Sequence, residues 1–389
     1  MYKTPLFLLM TILYASSCIA MPNNNQQRAE EIIDSLYRHY AVEGSPLLNE
    51  NYPMRSDYKA SYLATEDTTT SQKVAYLWPF SGTFSAVNAL LKLTKDEKYK
   101  TMLEERVLAG LDLYFDTTRL PVCYQSYIVT APLSDRFYDD NVWIANDFLE
   151  AYHLTRNVQY LDKSKEVWQF IMSGCDDELG GGIYWCEQKK RSKNTCSNAP
   201  ASVLALKLFE TTKDSTFFHQ GLELYNWTQT TLQDTSDKLY FDNKSLRGKI
   251  GKEKYAYNSG QMLQAAVLLY NLTGNKAYLT EAQAVAQACV DYFAEDYTSP
   301  EGKTFKLFRK RNTWFMAIMF RGFVELYHID NNRKYLDIFQ ANLNHLWVHV
   351  RDNDGLFYSD WSGETKDDTK WLLSQAALVE MYATLALFD

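Results

Sequence analysis

The sequence predicts an all-α protein in which six helical hairpins form a closed (α/α)6 toroid. Two observations support this fold class. A motif consisting of an apolar helix end, a short polar turn and an aromatic residue recurs along the 389-residue chain. Apolar residues also follow helical spacing on both sides of each turn, so each repeat is predicted to be a pair of antiparallel helices.

The repeats have a nearly constant length. The aromatic residues that close successive motifs are alternately 61 and 57 residues apart, and they are Tyr99, Tyr160, Phe217, Tyr278 and Tyr335. A sixth, shortened copy, VEMYATLALF, occupies residues 379–388. A fixed period of this length indicates repeated supersecondary units. An open solenoid is the alternative arrangement, but it would need polar capping repeats at its ends, and none is evident.

The helices are predicted to form two concentric rings. Those that begin near Asp139, Ser197, Asn258, Thr313 and Lys370 are rich in small and apolar residues, which is typical of buried helices. Their partners carry charge on one face and are expected to lie outside. The segments 78–80, 139–141, 196–198, 257–259, 314–316 and 369–371 begin the inner helices, so they should surround one mouth of the barrel.

The predicted mouth has the side chains of a carbohydrate-binding surface. Aromatic faces can stack on sugar rings, while amides and carboxylates can hydrogen-bond to hydroxyl groups. We therefore predict substrate-binding roles for Trp78, Tyr138, Asn141, Trp143, Asn198, Tyr257, Asn258, Trp314 and Trp371.

Two adjacent carboxylates, Asp139 and Asp140, stand in the aromatic stretch RFYDDNVW at residues 136–143. Acidic residues are common in the first turn of a helix, and that is the simplest interpretation. Glycoside hydrolysis also uses two carboxyl groups, roughly 5–5.5 Å apart in retaining enzymes. Neighbouring residues can reach this separation, and repulsion between them would keep one ionised and one protonated. The stretch therefore predicts an acid/base pair.

Five segments resemble the sequences of family 76 glycoside hydrolases, which are α-1,6-mannanases with an (α/α)6 barrel. They are LWPFSG (77–82), RFYDDNVWIANDFLEAY (136–152), GGGIYW (180–185), CSNAPA (196–201) and YNSGQM (257–262). The resemblance implies that Asp139 is the nucleophile and Asp140 the acid/base of a retaining, endo-acting hydrolase of mannan. No cofactor is predicted, because the sequence contains no credible cluster of metal ligands.

The first twenty residues, MYKTPLFLLMTILYASSCIA, predict a secretory signal peptide. A lipobox-like ASSC would make Cys18 the lipidated first residue, whereas cleavage after Ala20 would release a secreted protein. Residues 21–389 are then predicted to form a single catalytic domain. A bacterial protein of this kind would be periplasmic or an outer-membrane lipoprotein, held at a membrane only by its lipid.

Composition excludes several classes of partner. The formal net charge is −8 and no long basic run is present, which argues against nucleic acid binding. The five cysteines beyond Cys18 match no zinc-binding spacing, and no other metal site is predicted. Cys186 and Cys196 could form a disulfide, or both could be buried thiols.

Three other functions remain open at this stage. A sugar epimerase would use histidines at the mouth, but none of the six histidines lies in the six segments that begin the inner helices. A surface glycan-binding lipoprotein would keep the aromatic residues without needing both carboxylates. A transglycosidase would use the same covalent chemistry as the hydrolase.

Overall fold

A computed structural model describes residues 24–55, 57–64, 74–308 and 312–389 of the chain. The predicted signal peptide, including Cys18, lies outside these residues. The helices in chain order are α1 Asn24–Tyr40, α2 Leu77–Thr94, α3 Glu97–Met102, α4 Ala109–Leu111, α5 Tyr138–Thr155, α6 Val158–Ser173, α7 Thr195–Thr212, α8 Ser215–Leu232, α9 Ala256–Thr273, α10 Lys276–Phe293, α11 Thr313–Asp330, α12 Lys334–His349 and α13 Leu372–Leu385.

Six of these helices form a closed inner ring. Helices α2, α5, α7, α9, α11 and α13 each contact the next, and α13 contacts α2. They are buried over most of their length, as their small and apolar residues predict. Helices α9 and α11 approach closely, since a Cβ atom on Gly322 would stand 2.4 Å from the Gly260 carbonyl oxygen. The contact between α13 and α2 excludes the open solenoid and confirms the (α/α)6 toroid.

The recurring sequence motif is a turn that ends an inner helix and begins an outer one. Five inner helices end at a residue in the left-handed conformation, with φ between 54° and 70°. In all five turns, the next residue accepts a hydrogen bond from the main-chain N–H two positions on, at the start of the outer helix. These residues are Asp96, Asn157, Asp214, Asn275 and Asn332. The polar residues of the repeat therefore satisfy the backbone groups exposed where the chain reverses direction.

The outer ring contains α6, α8, α10 and α12, together with α3 and α4, which a π-helical segment at Leu103–Leu108 connects. The sixth pair differs from the prediction of a shortened hairpin. Among the described residues, the helix that packs outside α13 is α1. The side-chain amide of Asn25 donates a hydrogen bond of 2.8 Å to the carboxylate of Asp389. The first described helix therefore completes the last pair of the ring.

Short antiparallel strands lie in the connections that lead into inner helices. They are β1 Asn51–Tyr52, β2 Phe115–Asp116, β3 Cys123–Tyr124, β4 Ser192–Asn194, β5 Phe241–Ser245, β6 Ile250–Lys254, β7 Glu295–Thr298, β8 Thr304–Leu307 and β9 Lys370–Trp371. Strand β1 pairs with β9, β2 with β3, and β7 with β8, while β4, β5 and β6 form a three-stranded sheet. Because these strands precede inner helices, they build up one mouth of the barrel.

The last inner helix begins later than the sequence register predicts. Lys370 and Trp371 belong to β9, and α13 starts at Leu372. Pairing of Trp371 with Asn51 holds this segment extended. Within the part of the chain that the structure describes, no helix combines the length and apolar character needed to cross a lipid bilayer.

Candidate active site

A cavity of about 410 Å³ opens at the mouth where the inner helices begin. Carboxyl and amide groups occupy part of its wall, and aromatic rings occupy much of the rest. The aromatic lining residues are Tyr62, Tyr76, Trp78, Phe137, Trp143, Trp185, Tyr255, Tyr257, Trp314 and Phe315. The polar lining residues include Asp139, Asp140, Asn194, Cys196, Asp242 and Asn243.

Asp139 and Asp140 lie in the first turn of α5 and both face the cavity, but their hydrogen bonding differs. One Asp139 carboxylate oxygen accepts from the Asp140 main-chain N–H at 3.1 Å, and the other accepts from the Trp185 indole N–H at 3.1 Å. The Cys196 thiol is a further donor to Asp139. Among the described residues, none donates a hydrogen bond to the Asp140 carboxyl. The environment therefore stabilises negative charge on Asp139 rather than on Asp140.

Burial raises the pKa of both carboxyls, but to different extents. The pKa of Asp139 rises to about 6, because loss of hydration outweighs the hydrogen bonds from Cys196, Asp140 and Trp185. The pKa of Asp140 lies well above its usual value, because it is buried and stands beside the charge of Asp139. Near neutral pH the pair therefore holds one proton, and that proton is on Asp140. This is the protonation state that a nucleophile and an acid catalyst need.

Arg136 fixes the segment that carries the two acids. Its side chain is only 1% exposed and makes two hydrogen bonds to the Glu187 carboxylate, of which the one from Nε measures 2.6 Å. The Tyr138 main-chain N–H donates to the Trp185 carbonyl, and the Glu187 N–H donates to the Arg136 carbonyl. This pairing holds the segment containing Trp185 against the start of α5. The indole is thereby positioned to bond Asp139.

We expect Trp185→Phe to shift the pH dependence of hydrolysis. The variant keeps an aromatic ring but loses the N–H that stabilises ionised Asp139, so the pKa of Asp139 should rise by about one unit. The acid limb of the plot of kcat/KM against pH should therefore shift to a pH about one unit higher. Activity should fall about tenfold below pH 6 and recover as the pH rises.

Trp227→Phe is the matched control, because the Trp227 indole donates to the Leu179 carbonyl away from the acids. The acid limb of its pH profile should lie at the same pH as that of the wild type. An unmoved acid limb in Trp185→Phe would show that this hydrogen bond does not tune Asp139.

Four of the aromatic residues predicted from the sequence line the cavity, and one of them, Trp314, contacts the other three. The Trp314 ring is 5.4 Å from that of Trp78, 5.0 Å from that of Trp143 and 5.9 Å from that of Tyr257, measured between centroids. Trp143 and Trp314 are almost fully buried, whereas Trp78 and Tyr257 are half-buried. Of these four rings, Trp78 and Tyr257 are therefore the more accessible from the cavity.

Glu50 organises a second group of aromatic residues beside the cavity. Its carboxylate is 4% exposed and accepts hydrogen bonds from the hydroxyls of Tyr58 and Tyr62, both at 2.7 Å, and from the Trp371 indole at 3.2 Å. The Tyr62 ring then packs edge-on against Trp78, 5.1 Å away. Trp371 contacts Trp78 at 5.2 Å but does not line the cavity itself. Its observed role is to support Trp78.

Besides Trp371, four more of the predicted substrate-binding residues do not line the cavity, which corrects that part of the prediction. The Asn141 amide bonds the main chain of Tyr124 and Phe137, and the Asn198 amide bonds that of Ile183 and Asn194. Tyr138 is buried in a stack against Phe170, 4.7 Å away. Asn258 is fully buried and does not line the cavity. The amides of Asn141 and Asn198 anchor the incoming loops, a role that residue type alone does not distinguish from sugar binding.

Asp242 is a third acid of the cavity, and it was not predicted from the sequence. It lies on β5, and burial raises its pKa. Cys196 was considered for a disulfide with Cys186, but all five described cysteines are free thiols. Within the described ranges, no group of three or more His, Cys, Asp or Glu side chains could hold a metal ion.

Known proteins share this fold and its sequence pattern. The sequence model of Glycosyl hydrolase family 76 matches residues 49–387. The structure of the family 76 glycoside hydrolase (mannosidase) Bt3792 from Bacteroides thetaiotaomicron VPI-5482 is 33% identical. Its alignment covers 94% of this chain and 99% of that one, with a TM-score of 0.86. The α-1,6-mannanase GH76A from Salegentibacter sp. HEL1_6 has the same fold, with a TM-score of 0.74 at 22% identity, and the alignment covers 94% of this chain and all of that one.

Curated fungal relatives match over a shorter stretch. The Saccharomyces cerevisiae mannan endo-1,6-alpha-mannosidase DCW1 is 26% identical over 126 residues, which is 30% of this chain and 28% of that protein. A putative mannan endo-1,6-alpha-mannosidase of Schizosaccharomyces pombe, C1198.07c, is 26% identical over 147 residues. The matched stretch covers 35% of this chain and about a third of the length of that relative.

Proposed function

This chain belongs to glycosyl hydrolase family 76, and from that premise we propose that it is a retaining, endo-acting hydrolase of the α-1,6-mannosidic bonds of mannan. One observation carries the proposal. Two adjacent carboxyls share a cavity with aromatic walls, and only Asp139 receives hydrogen bonds that stabilise its charge. Such a pair supplies an ionised nucleophile and a protonated acid within one helical turn.

The proposed reaction proceeds in two displacements. The Asp139 carboxylate attacks the anomeric carbon while Asp140 donates its proton to the departing glycosidic oxygen, and a glycosyl ester forms on Asp139. Asp140, now ionised, removes a proton from water, which attacks the anomeric carbon and releases Asp139. The two inversions leave the anomeric configuration unchanged.

The substrate assignment draws on the relatives and on the cavity. An inactive variant of the Salegentibacter α-1,6-mannanase was solved in complex with α-1,6-mannotriose, and the curated fungal relatives are named mannan endo-1,6-alpha-mannosidases. In the present chain, partly exposed rings such as Trp78 and Tyr257 offer surfaces on which a sugar ring can stack. The cavity is open at the mouth, which suits a polymer bound along its length.

The test is to incubate the purified protein with debranched α-1,6-mannan and to size the products over time. Internal cleavage should release a ladder of oligosaccharides from the outset, and nuclear magnetic resonance should first detect the α-anomer. Release of mannose alone would contradict endo action, and the β-anomer would contradict retention. Products longer than the donor would indicate a transglycosidase, and binding without turnover would indicate a glycan-binding protein.

We also propose that the protein is exported, as a periplasmic enzyme or an outer-membrane lipoprotein. The support is the sequence of residues 1–20 alone. Metabolic labelling with palmitate should mark the wild-type protein and not Cys18→Ser if Cys18 is lipidated. An unlabelled protein whose mature chain begins at Met21 would instead indicate cleavage after Ala20.

A further inference from the structure

A group of basic side chains borders the active-site cavity. This group, the basic rim, consists of Lys189, Lys190, Arg191, Lys244, Arg247 and Lys249. Four of the six, Lys190, Arg191, Arg247 and Lys249, are exposed, and the other two are half-buried.

The sheet β4–β5–β6 brings the two halves of the basic rim together. Lys189 to Arg191 come just before β4, and the other three residues lie on β5 or in the turn between β5 and β6. Ser192 pairs with Ser245, and the Leu246 main-chain N–H donates to the Arg191 carbonyl at 3.0 Å. Residues more than fifty positions apart in sequence therefore form one surface.

The side chains of the basic rim make no ion pairs with the acidic residues that the structure describes. Two nearby lysines show the contrast: Lys193 pairs with Asp176 at 2.7 Å, and Lys254 pairs with Asp234 and Asp237, both at 2.6 Å. Among the described residues, no ion pair involves any of the six side chains of the basic rim. The whole chain carries a net charge of −8, so this positive surface departs from the overall balance.

The same strands also reach into the cavity. Asn194 of β4 and Asp242 and Asn243 of β5 line it, and the turn that carries Arg247 is four residues beyond Asn243. Strand β5 ends at Ser245, two residues beyond Asn243, so at about 3.3 Å per residue the turn begins roughly 7 Å along the strand from the cavity wall. The cavity itself holds three carboxyl groups and would repel an anion. Charge is thus separated, with negative groups at the reaction centre and positive groups just outside it.

We propose that the basic rim binds phosphate groups carried by the mannan substrate while neutral mannose units occupy the cavity. This rests on the proposed function. Guanidinium and ammonium groups can together surround the several acceptor oxygens of a phosphodiester. The adjoining cavity favours a charged substituent of the bound glycan over a separate anionic partner such as a membrane.

The experiment compares one polymer in two states. Phosphodiester-bearing α-mannan and the same mannan after removal of its phosphate are hydrolysed by the wild type and by the triple variant Arg191→Gln, Arg247→Gln, Lys249→Gln. The control triple variant, Lys98→Gln, Lys276→Gln, Lys334→Gln, removes three exposed charges at the opposite mouth. The readout is the ratio of kcat/KM on the phosphorylated polymer to that on the dephosphorylated one.

The wild type and the control should share a ratio on the order of ten at low ionic strength, and the ratio should decrease as salt is added. In the variant of the basic rim the ratio should fall close to one. A wild-type ratio of one, with both polymers cleaved, would overturn the proposal and leave the proposed function intact. No cleavage of either polymer would overturn both. Binding of the wild type to phosphatidylglycerol vesicles, lost in the same variant and without a polymer preference, would assign the basic rim to a membrane instead.

Discussion

Asp139→Asn is expected to lower kcat/KM on α-1,6-mannan by a factor on the order of 10⁴ or more. The amide cannot displace the leaving group, so the covalent route is lost and only substrate positioning remains. In the wild type, a 2-fluorinated mannosyl substrate with a good leaving group should accumulate as an ester, and peptide sequencing should find the label on Asp139. The variant should not be labelled.

Two controls separate lost chemistry from lost structure. A carboxyl whose pKa is raised in the folded state binds more protons there than when unfolded, so it lowers stability as the pH rises above about 4. Removing the ionisable group should thus leave the melting temperature at neutral pH equal to or above that of the wild type. Asp147→Asn changes another buried carboxyl of α5, outside the cavity, and should retain activity. Labelling of Asp140 in the wild type would reverse the roles of the two acids.

Asp140→Asn is expected to act on a different step, and its effect should depend on the leaving group. Cleavage of mannan should fall by a factor on the order of 10³, because the departing sugar oxygen needs a proton. A dinitrophenyl mannoside needs no proton to depart, so formation of the glycosyl ester should be affected far less. Hydrolysis of that ester should be slow, because the general base is missing, and a burst of dinitrophenol should precede a slow steady state.

The pH profile gives an independent check on Asp140. Wild-type kcat/KM should rise with an apparent pKa of about 6, as Asp139 ionises, and should fall at higher pH as Asp140 loses its proton. The fall should disappear in Asp140→Asn on the dinitrophenyl substrate. An equal loss on both substrates, with the basic limb retained, would argue against Asp140 as the acid.

The sequence was sufficient to predict the fold because the polar turn and the aromatic residue after it recur in five of the six repeats. The left-handed residue and the capping Asp or Asn explain this recurrence, since the backbone must reverse in the same way each time. The origin of the sixth outer helix could not be predicted, because α1 shows no copy of the motif. Its place is set by packing against α13, a contact between distant parts of the chain.

The catalytic residues could be predicted because the reaction requires an unusual arrangement of side chains. The substrate-binding residues were harder to predict, because asparagine serves both to bind sugars and to anchor loops. Asp139 and Asp140 stand out in the sequence because two adjacent acids repel each other and lose hydration among aromatic residues. Such an arrangement destabilises the fold, so its presence indicates a function. Asn141 and Asn198 could not be distinguished from sugar-binding amides, since the partners that satisfy them lie in loops 15 to 17 residues away. The roles of Arg136 and Asp242 were not predicted, because they depend on how the loops fold. Folding brings Arg136 to Glu187 and places Asp242 in the cavity.

The pairing of α1 with α13 brings the two ends of the described chain into contact. Asn25 and Asp389 are hydrogen-bonded although 364 positions separate them. Contacts between residues so distant in sequence form late in folding, because the chain between them must first be ordered. Until then α13 exposes an apolar surface to water, and aggregation competes with closure of the ring. Assembly of this barrel is therefore expected to finish only when its last helix is available, whichever repeats have already formed.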